Sequence, residues 1–323
     1  MGNAIGKQNY RKSDLQKNNL AERDNYIRIK GLNKFYGKKQ ALRDVDLSIG
    51  QGMFGLLGRN GAGKTTLMKT LATLLQKQSG EITVCGVPVE NAGEIRKITG
   101  YLPQEFSMYP SMSVSEAMDY LAVLSGLEKR ERKERIGELL EKVNLTEHRH
   151  KKVRALSGGM KRRLGIAQAL LNNPRVLIVD EPTAGLDPEE RVRFRNLLSE
   201  LAEERIVILS THIVGDIEAT CEDIAILDGG RILYDGTVEG LLDSAEGKVF
   251  TVEADRRELA ELKKDLLITG MHMQGQRACV RFVSQKAVDG ARGCEPNIED
   301  AYMLYLSENG VEAGALARTG GEG

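Results

Sequence analysis

The feature that most constrains the fold is a glycine-rich loop between an apolar run and an amphipathic helix pattern. The loop reads Gly58-Arg-Asn-Gly-Ala-Gly-Lys-Thr65 and fits the spacing GxxxxGK[ST]. Met53–Leu57 before it predicts a strand, and leucines from Leu67 to Leu75 recur at helical spacing after it. A helix N-terminus offers unpaired N–H groups and the positive end of its dipole. The connection therefore predicts a binding site for a polyphosphate.

Each part of this loop has an expected role. Lys64 should reach the β- and γ-phosphates, and the Thr65 hydroxyl should bind Mg²⁺. Glycines let the backbone approach oxygen atoms where a Cβ would collide. An ordinary glycine-rich turn is the alternative, and the flanking strand and helix make it the weaker one. The residues predicted to contact the nucleotide here are Gly58, Asn60, Gly61, Ala62, Gly63, Lys64, Thr65 and Thr66.

Two carboxylates follow a second apolar run, Val176–Val179. Such a run predicts a strand of a buried parallel sheet. We expect Asp180, at its end, to hold Mg²⁺ through water, and Glu181 to orient or deprotonate the attacking water. The pair could instead form a surface turn, but two acids directly after a buried strand suit a site better.

A second anion-binding loop, Leu156-Ser-Gly-Gly-Met160, precedes a further helix pattern. Ser157 offers a hydroxyl, and Gly158 and Gly159 are expected to offer exposed backbone N–H groups at a helix N-terminus. One nucleotide does not need two such phosphate-binding loops on one chain. We therefore expect a head-to-tail dimer in which the Ser157 loop of each subunit closes on the γ-phosphate held by Lys64 of the other.

The remaining patterns predict the organisation of the 323-residue chain. We expect a mobile polar tail at 1–25, an α/β core at 26–240 with a helical insertion at about 105–155, an α+β appendage at 241–313 and a frayed tail at 314–323. No apolar run is long enough to cross a bilayer. Lys and Arg balance Asp and Glu at 46 each, so a nucleic acid or an anionic lipid could be reached only through a local patch.

Several local predictions can be compared with the structure. The runs between Tyr26 and Leu57 predict short strands of one sheet, and Ser113-Val-Ser-Glu116 predicts a helix capping box. Gly229 and Gly230 predict the turn of a hairpin. Met271-His-Met273 is expected to fill a core rather than bind copper. The four scattered cysteines are expected to be reduced and mostly buried.

Together the three phosphate-related elements resemble the nucleotide-binding subunit of an ABC transporter, over roughly Tyr26 to Thr237. The resemblance implies a P-loop NTPase fold of ABC type, with a mixed β core, a RecA-like parallel sheet and a helical subdomain. It also implies that Tyr36 stacks on adenine and that Gln104 joins the γ-phosphate and Mg²⁺ site to the membrane subunit. Asp187 would meet its copy across the dimer, and His212 would be the switch histidine at the γ-phosphate.

The resemblance assigns chemistry to a small set of residues. Those placed in catalysis are Lys64, Gln104, Glu181 and His212. Those that would hold Mg²⁺ are Thr65, Gln104 and Asp180. Those that would bind ATP, besides the first loop, are Tyr36, Ser157, Gly158, Gly159 and Asp187.

The subclass and the partners also follow from the resemblance. Met160, followed by Lys-Arg-Arg, stands where many relatives have Gln. The motif from Leu156 to Arg163, with Gly100–Glu105 and Pro296–Tyr302, looks like those of bacterial exporters of drugs, peptides or polysaccharides. Such proteins hydrolyse ATP with Mg²⁺, pair with a second ATPase subunit and drive a separately encoded permease at the cytoplasmic face of the membrane.

The alternative is a soluble ATPase of the same superfamily, acting in Fe–S assembly or on ribosomes. The interval from Lys64 to Asp180 leaves no room for the long coiled coil of the chromosome-maintenance relatives, and no nucleic-acid partner is expected.

Overall fold

The computed structural model describes residues 25–275, 277–286 and 288–311, and the chain divides into two units with a boundary between residues 235 and 236. The tails predicted at 1–25 and 314–323 lie outside the described residues, apart from Asn25. The elements up to the boundary, which the last strand crosses, are β1 (Ile27–Tyr36), β2 (Lys39–Ile49), β3 (Gly52–Leu57), α1 (Lys64–Leu71), β4 (Ser79–Val84), β5 (Val87–Pro88), α2 (Ala92–Ile98), β6 (Thr99–Leu102), α3 (Val114–Leu124), α4 (Lys129–Lys142), α5 (Gly158–Ala169), β7 (Val176–Asp180), α6 (Pro188–Ala202), β8 (Ile206–Thr211), α7 (Val214–Glu218), β9 (Asp223–Asp228) and β10 (Arg231–Thr237).

Two sheets make up the first unit. A four-stranded sheet has the order β2-β1-β4-β5, in which β1 runs antiparallel to both β2 and β4. A six-stranded sheet has the order β10-β9-β3-β8-β7-β6, and β3, β6, β7, β8 and β9 are parallel where they pair. Every residue of β7 and β8 is buried, as expected where both faces of a parallel sheet are covered. The α/β core predicted from the sequence is confirmed.

The prediction of one sheet for the strands between Tyr26 and Leu57 is wrong. Strands β1 and β2 belong to the antiparallel sheet, whereas β3 lies in the middle of the parallel one. The burial patterns explain the division. In β1 buried and exposed residues largely alternate, but Met53–Leu57 is buried without interruption. A strand that is apolar on both faces needs cover on both faces, and the parallel sheet provides it.

The insertion between β6 and β7 is mostly helical, as predicted. The capping box at the start of α3 is confirmed: the Glu116 N–H donates to Ser113 Oγ at 3.2 Å, and the Ser113 N–H donates to the Glu116 carboxylate at 2.6 Å. On α4 one face is buried, and this face consists of Ile136, Leu139 and Leu140. Short 3₁₀ turns at 146–148 and 153–155 lead into α5.

The second unit is a small α+β structure. Its elements after β10 are α8 (Val238–Asp243), β11 (Val249–Ala254), α9 (Arg256–Asp265), β12 (Leu267–Gln274), β13 (Arg277–Val283), β14 (Arg292–Gly293) and α10 (Ile298–Glu308). The sheet has the order β12-β13-β11-β14. Asp300 of α10 is fully buried and accepts from Arg281 Nη2 at 2.5 Å, so the helix is tied to the sheet by a charged pair.

The expectation that Met271 and Met273 fill a core is wrong. Both lie on the edge strand β12, and their side chains are 48% and 56% exposed. The end of β12 pairs with β13 in a hairpin, and in the part of the chain that the structure describes the other side of β12 has no neighbouring strand. The cysteine prediction is partly right, since Cys85 and Cys221 are buried whereas Cys279 and Cys294 are half-buried; all four lie among the described residues and are not in disulfides.

Candidate active site

The first loop approaches its neighbours so closely that two of its glycines have no room for a side chain. A Cβ on Gly58 would lie 2.3 Å from the Leu227 carbonyl oxygen. A Cβ on Gly63 would lie 2.8 Å from the Ala41 carbonyl oxygen, and the φ of Gly63 is +116°, where L-residues are strained. The loop can therefore turn from β3 into α1 only with glycine at these two positions.

Two contacts that the sequence does not reveal fix the loop to the end of β9. The Arg59 guanidinium donates to Asp228 Oδ1 at 2.9 Å, and the Gly230 N–H donates to the Ala62 carbonyl at 2.9 Å. The Gly229-Gly230 turn was predicted from the sequence, but its pairing with the loop depends on β9 lying beside β3. Asn60 and Gly61 at the tip of the loop remain exposed, and Thr65 and Thr66 are half-buried in the first turn of α1.

Lys64 is buried under the loop and has three partners. Its ammonium donates to the carbonyl oxygens of Gly58 at 2.6 Å and Arg59 at 3.2 Å, and it lies 3.0 Å from Glu181 Oε1. The structure thus brings together the lysine of the first motif and the second acid of the second motif. The pair is almost fully buried, at 5% and 4% exposure, so this interaction is little screened by solvent.

Asp180 is fully buried at the end of β7, where the site could hold a cation. Its Oδ1 accepts from Ser210 Oγ at 2.8 Å, but its Oδ2 has no hydrogen-bond partner among the described residues. A buried carboxylate oxygen without a partner is costly, and oxygen donors are the ligands that Mg²⁺ prefers. The residues present therefore fit a magnesium ion. Burial and the charge of Asp180 also raise the pKa of the Tyr101 hydroxyl well above its usual value.

Glu181 has an unusual backbone conformation at the end of β7, where its side chain contacts Lys64 and His212. Its φ is +50°, and its N–H donates to the Ser210 carbonyl at 2.9 Å. Its Oε2 lies 2.5 Å from His212 Nδ1, whereas Lys64 contacts the other oxygen, Oε1. Non-glycine residues with positive φ are uncommon and occur preferentially at functional sites. The carboxylate, which follows β7, is therefore held between a lysine at the start of α1 and a histidine that follows β8.

A buried hydrogen bond connects the segments that follow Glu181 and His212. Thr183 Oγ1 donates to Asp216 Oδ2 at 2.5 Å, and both residues are at most 1% exposed. The other oxygen, Asp216 Oδ1, is 3.7 Å from Arg195 Nη1. Sequence reasoning missed Ser210, Thr183 and Asp216. Hydroxyl and acidic residues do follow the buried strands in the sequence. Which of them hydrogen-bond to one another depends on the order of the strands in the sheet.

The second anion-binding loop lies at the start of α5, where Ser157 caps the helix by accepting from the Met160 N–H at 3.2 Å. Gly158 is exposed, as expected, but the expectation of an exposed Gly159 is wrong. A Cβ on Gly159 would lie 2.3 Å from Glu190 Oε2 because α6 packs against this turn. Asp187 is exposed and caps α6, accepting from the Glu190 N–H at 2.9 Å.

The last two predicted residues lie on the surface. Tyr36 is 49% exposed at the end of β1, and Lys34 Nζ lies 5.5 Å from the centre of its ring. Gln104 is exposed in the segment after β6, and its backbone carbonyl accepts from the Arg162 guanidinium. Among the described residues, neither side chain hydrogen-bonds to Lys64, Asp180 or Glu181, which form the buried part of the site.

Comparisons with known proteins identify the family. A family model described as "ABC transporter" matches residues 42–184. The chain is 39% identical over 232 residues to the ABC transporter ATP-binding protein YxlF of Bacillus subtilis (strain 168), covering 72% of this chain and 77% of that protein. It is 38% identical over 224 residues to the Nod factor export ATP-binding protein I of Cupriavidus pinatubonensis, covering 68% and 69%.

Solved structures agree with this assignment. The dimeric structure of the bacterial ABC transporter cassette MJ0796 superposes with a TM-score of 0.60 at 26% identity, covering 65% of this chain and 98% of that one. A post-hydrolysis dimer of the same cassette, bound to ADP and Pi, has a TM-score of 0.60 at 25% identity. The fold and the resemblance predicted from the sequence are confirmed. The chain belongs to the ATP-binding proteins of ABC transporters and is an ATP-hydrolysing cassette with a P-loop fold.

Proposed function

We propose that two copies of this chain bind ATP with Mg²⁺ between them and that their closure and ATP hydrolysis drive export through a separate membrane permease. The observation that carries the proposal is the Glu181 carboxylate, held between Lys64 and His212 beside the buried Asp180. A base next to a lysine that can bind phosphate is the arrangement that hydrolysis of a phosphoanhydride needs.

The paired carboxylate suggests how hydrolysis is restrained until nucleotide binds. The Lys64 ammonium occupies Glu181 Oε1, where a water would have to bind. When Lys64 donates to a phosphate instead, Glu181 Oε1 becomes free to accept a hydrogen bond from the attacking water. His212 keeps Glu181 Oε2 in place during this exchange. Mg²⁺, held by Asp180, the Thr65 hydroxyl and Gln104, would neutralise charge that develops on the phosphates.

The exposed residues of the site are assigned to the partner copy and to the base of the nucleotide. Ser157 and Gly158 present a capped helix N-terminus, which attracts a phosphate. Asp187 caps a second helix at the surface, where it can meet the other subunit. Tyr36, with half of its surface exposed, is suited to stack on adenine. Gln104 is proposed to follow the γ-phosphate and to pass closure to the permease.

The transport role rests on relatives named for export. The Nod factor export protein is one. A further relative, the linearmycin resistance ATP-binding protein LnrL of Bacillus subtilis, is 38% identical over 225 residues and is named for resistance to a compound. These names do not favour the alternative of a soluble ATPase in Fe–S assembly or on ribosomes. In the described part of the chain no helix has the length and apolar character to span a bilayer. We place the chain on the cytoplasmic face of the membrane through its permease.

The proposal is tested by isolating the complex in a state that cannot complete hydrolysis. A tagged Glu181→Gln chain is extracted from its native host in mild detergent with ATP, and the copurifying proteins are identified by mass spectrometry. We expect a polytopic membrane protein to copurify with the chain in a ratio near 2:2. The Lys64→Ala variant should recover a smaller amount of that membrane protein. Recovery of ribosomal proteins or a soluble assembly complex without a membrane protein would contradict the transport role.

A further inference from the structure

Tyr101 carries a buried hydroxyl that has no role in the site described above. The residue lies in β6, and its ring packs against the core cluster that includes Leu67 and Met68 of α1. The hydroxyl oxygen is buried and has no hydrogen-bond partner among the described residues. A hydroxyl kept from bulk water without a partner is costly, so an ordered water or a ligand group is the partner to expect.

The pairing of β6 with β7 places Tyr101 on the same face of the sheet as Asp180. Tyr101 is the partner of Ile178 in this parallel pair. Side chains two residues apart on a strand share a face, so Asp180 follows Ile178 on the face that Tyr101 occupies. Two residues of a strand cover about 7 Å, an interval that a tyrosine side chain can span.

The two groups interact, although no direct hydrogen bond joins them. Burial, and then the negative charge of Asp180, raise the pKa of the Tyr101 hydroxyl. Asp180 Oδ1 accepts from Ser210 Oγ at 2.8 Å, whereas the buried Asp180 Oδ2 has no hydrogen-bond partner in the described part of the chain. The Tyr101 hydroxyl and Asp180 Oδ2 are therefore two unpaired polar groups on one face of the sheet.

A single water between these two groups would give both a partner. Buried waters make about three hydrogen bonds to polar groups that otherwise lack one. A water whose oxygen is bound to a cation still has two hydrogens to donate, and Asp180 Oδ2 and the Tyr101 oxygen are two buried acceptors for them. Residues that hydrogen-bond to the ligands of a metal orient those ligands and affect the affinity for the metal.

We propose that Tyr101 is a positioning residue for Mg²⁺ and that its hydroxyl hydrogen-bonds to the water through which Asp180 would hold the ion. The inference rests on the proposed function, because it requires Mg²⁺ beside Asp180. Tyr101 has no assigned contact with the nucleotide or with the attacking water. Loss of its hydroxyl should therefore lower the affinity for Mg²⁺ and leave the binding of metal-free nucleotide as it is.

Thr99 supplies a matched control on the same strand. Its hydroxyl is also buried without a partner among the described residues, and it lies on the same face of β6 as Tyr101. Thr99 pairs with Val176, however, which is four residues before Asp180 along β7. About 13 Å of strand therefore separates Thr99 from the carboxylate. Thr99→Val removes an unpaired hydroxyl of the same kind at a position too distant to contact the ion.

The test measures how strongly the full purified chain binds the non-hydrolysable ATP analogue AMP-PNP at a series of free Mg²⁺ concentrations and in EDTA. In Tyr101→Phe the Mg²⁺ concentration that gives half of the gain in affinity should rise about tenfold. The affinity of this variant for AMP-PNP in EDTA should equal that of the wild type. Thr99→Val should match the wild type under both conditions. Since each substitution removes an unpaired hydroxyl and keeps the apolar part of the side chain, neither should lower the melting temperature measured without Mg²⁺.

Other outcomes of the same measurements would overturn the inference. An unchanged Mg²⁺ dependence in Tyr101→Phe, or an equal change in Thr99→Val, would show that the Tyr101 hydroxyl does not act on the ion. A lower melting temperature of Tyr101→Phe without Mg²⁺, with weaker binding of AMP-PNP in EDTA, would assign the hydroxyl to the fold alone. Asp180→Asn separates these failures from failure of the proposed function. If this variant also keeps the wild-type Mg²⁺ dependence, Asp180 does not hold the ion, and the proposed Mg²⁺ site itself is refuted.

Discussion

The buried hydrogen bond from Thr183 to Asp216 connects the two segments that carry Glu181 and His212, and its removal should weaken both the fold and the reaction. In Thr183→Val the Asp216 carboxylate loses a donor at 2.5 Å, and among the described residues it keeps Arg195, at 3.7 Å from its other oxygen. Both residues are buried, so water cannot replace the lost donor. A hydrogen bond to a charged group contributes about 1.5–3 kcal/mol, so we expect a loss of about 2 kcal/mol in the free energy of unfolding.

Urea denaturation of the full chain measures this loss, and a matched variant controls for it. Thr220→Val removes a hydroxyl that donates to the backbone carbonyl of Asp216 at 2.6 Å rather than to its carboxylate, and it should cost only about 1 kcal/mol. The double variant Thr183→Val/Asp216→Ala should show a coupling of about 1 kcal/mol or more between the two sites. A loss below about 0.5 kcal/mol in Thr183→Val, or strict additivity in the cycle, would refute the reasoning.

Three further predictions concern the loop and a buried thiol. Lys64→Ala should weaken ATP binding in a nucleotide titration, because a buried cation that pairs with phosphate is lost. The control Lys69→Ala, on the same helix, should leave ATP affinity unchanged. Normal ATP affinity in Lys64→Ala would contradict the assignment of the loop. Gly63→Ala should be destabilised in thermal unfolding, since its Cβ would meet the Ala41 carbonyl at 2.8 Å in a left-handed conformation, whereas Gly93→Ala, with open space around it, should be neutral or slightly stabilising; equal effects would refute the steric argument. Burial raises the pKa of Cys221 to about 12, so only about one Cys221 thiol in 10⁴ is ionised at pH 8. Alkylation followed by mass spectrometry should label the half-buried Cys279 first, and the rate of Cys221 labelling should increase as the pH rises. Labelling of Cys221 before Cys279 would contradict this prediction.

The sequence predicts those parts of the site that depend on local chemistry. The loop from Gly58 to Thr65, the acids after β7 and the capped start of α5 each follow from residue types at fixed spacing beside an apolar run. The capping box of α3 is local in the same sense, because both of its hydrogen bonds join residues three apart. Such features need no knowledge of which strand lies beside which.

The features that the sequence did not predict depend on contacts between distant segments. Ser210 meets Asp180 only because β8 lies beside β7, and Asp228 holds Arg59 only because β9 lies beside β3. The separation of β1 and β2 from β3 into two sheets is a pairing choice of the same kind. The burial of Gly159 follows from the packing of α6 against its turn, which no spacing in the sequence reveals.

The central claim is that Glu181 takes the proton from the attacking water, and the rate of ATP hydrolysis by Glu181→Gln tests it most directly. The rate is measured together with ATP affinity and with the ATP-dependent dimer, and Glu218→Gln, an exposed glutamate on α7, is the matched control. We expect Glu181→Gln to bind ATP, to form a long-lived dimer and to show a rate of ATP hydrolysis reduced on the order of a hundredfold or more. The control should match the wild type. Turnover by Glu181→Gln at the wild-type rate would contradict the account.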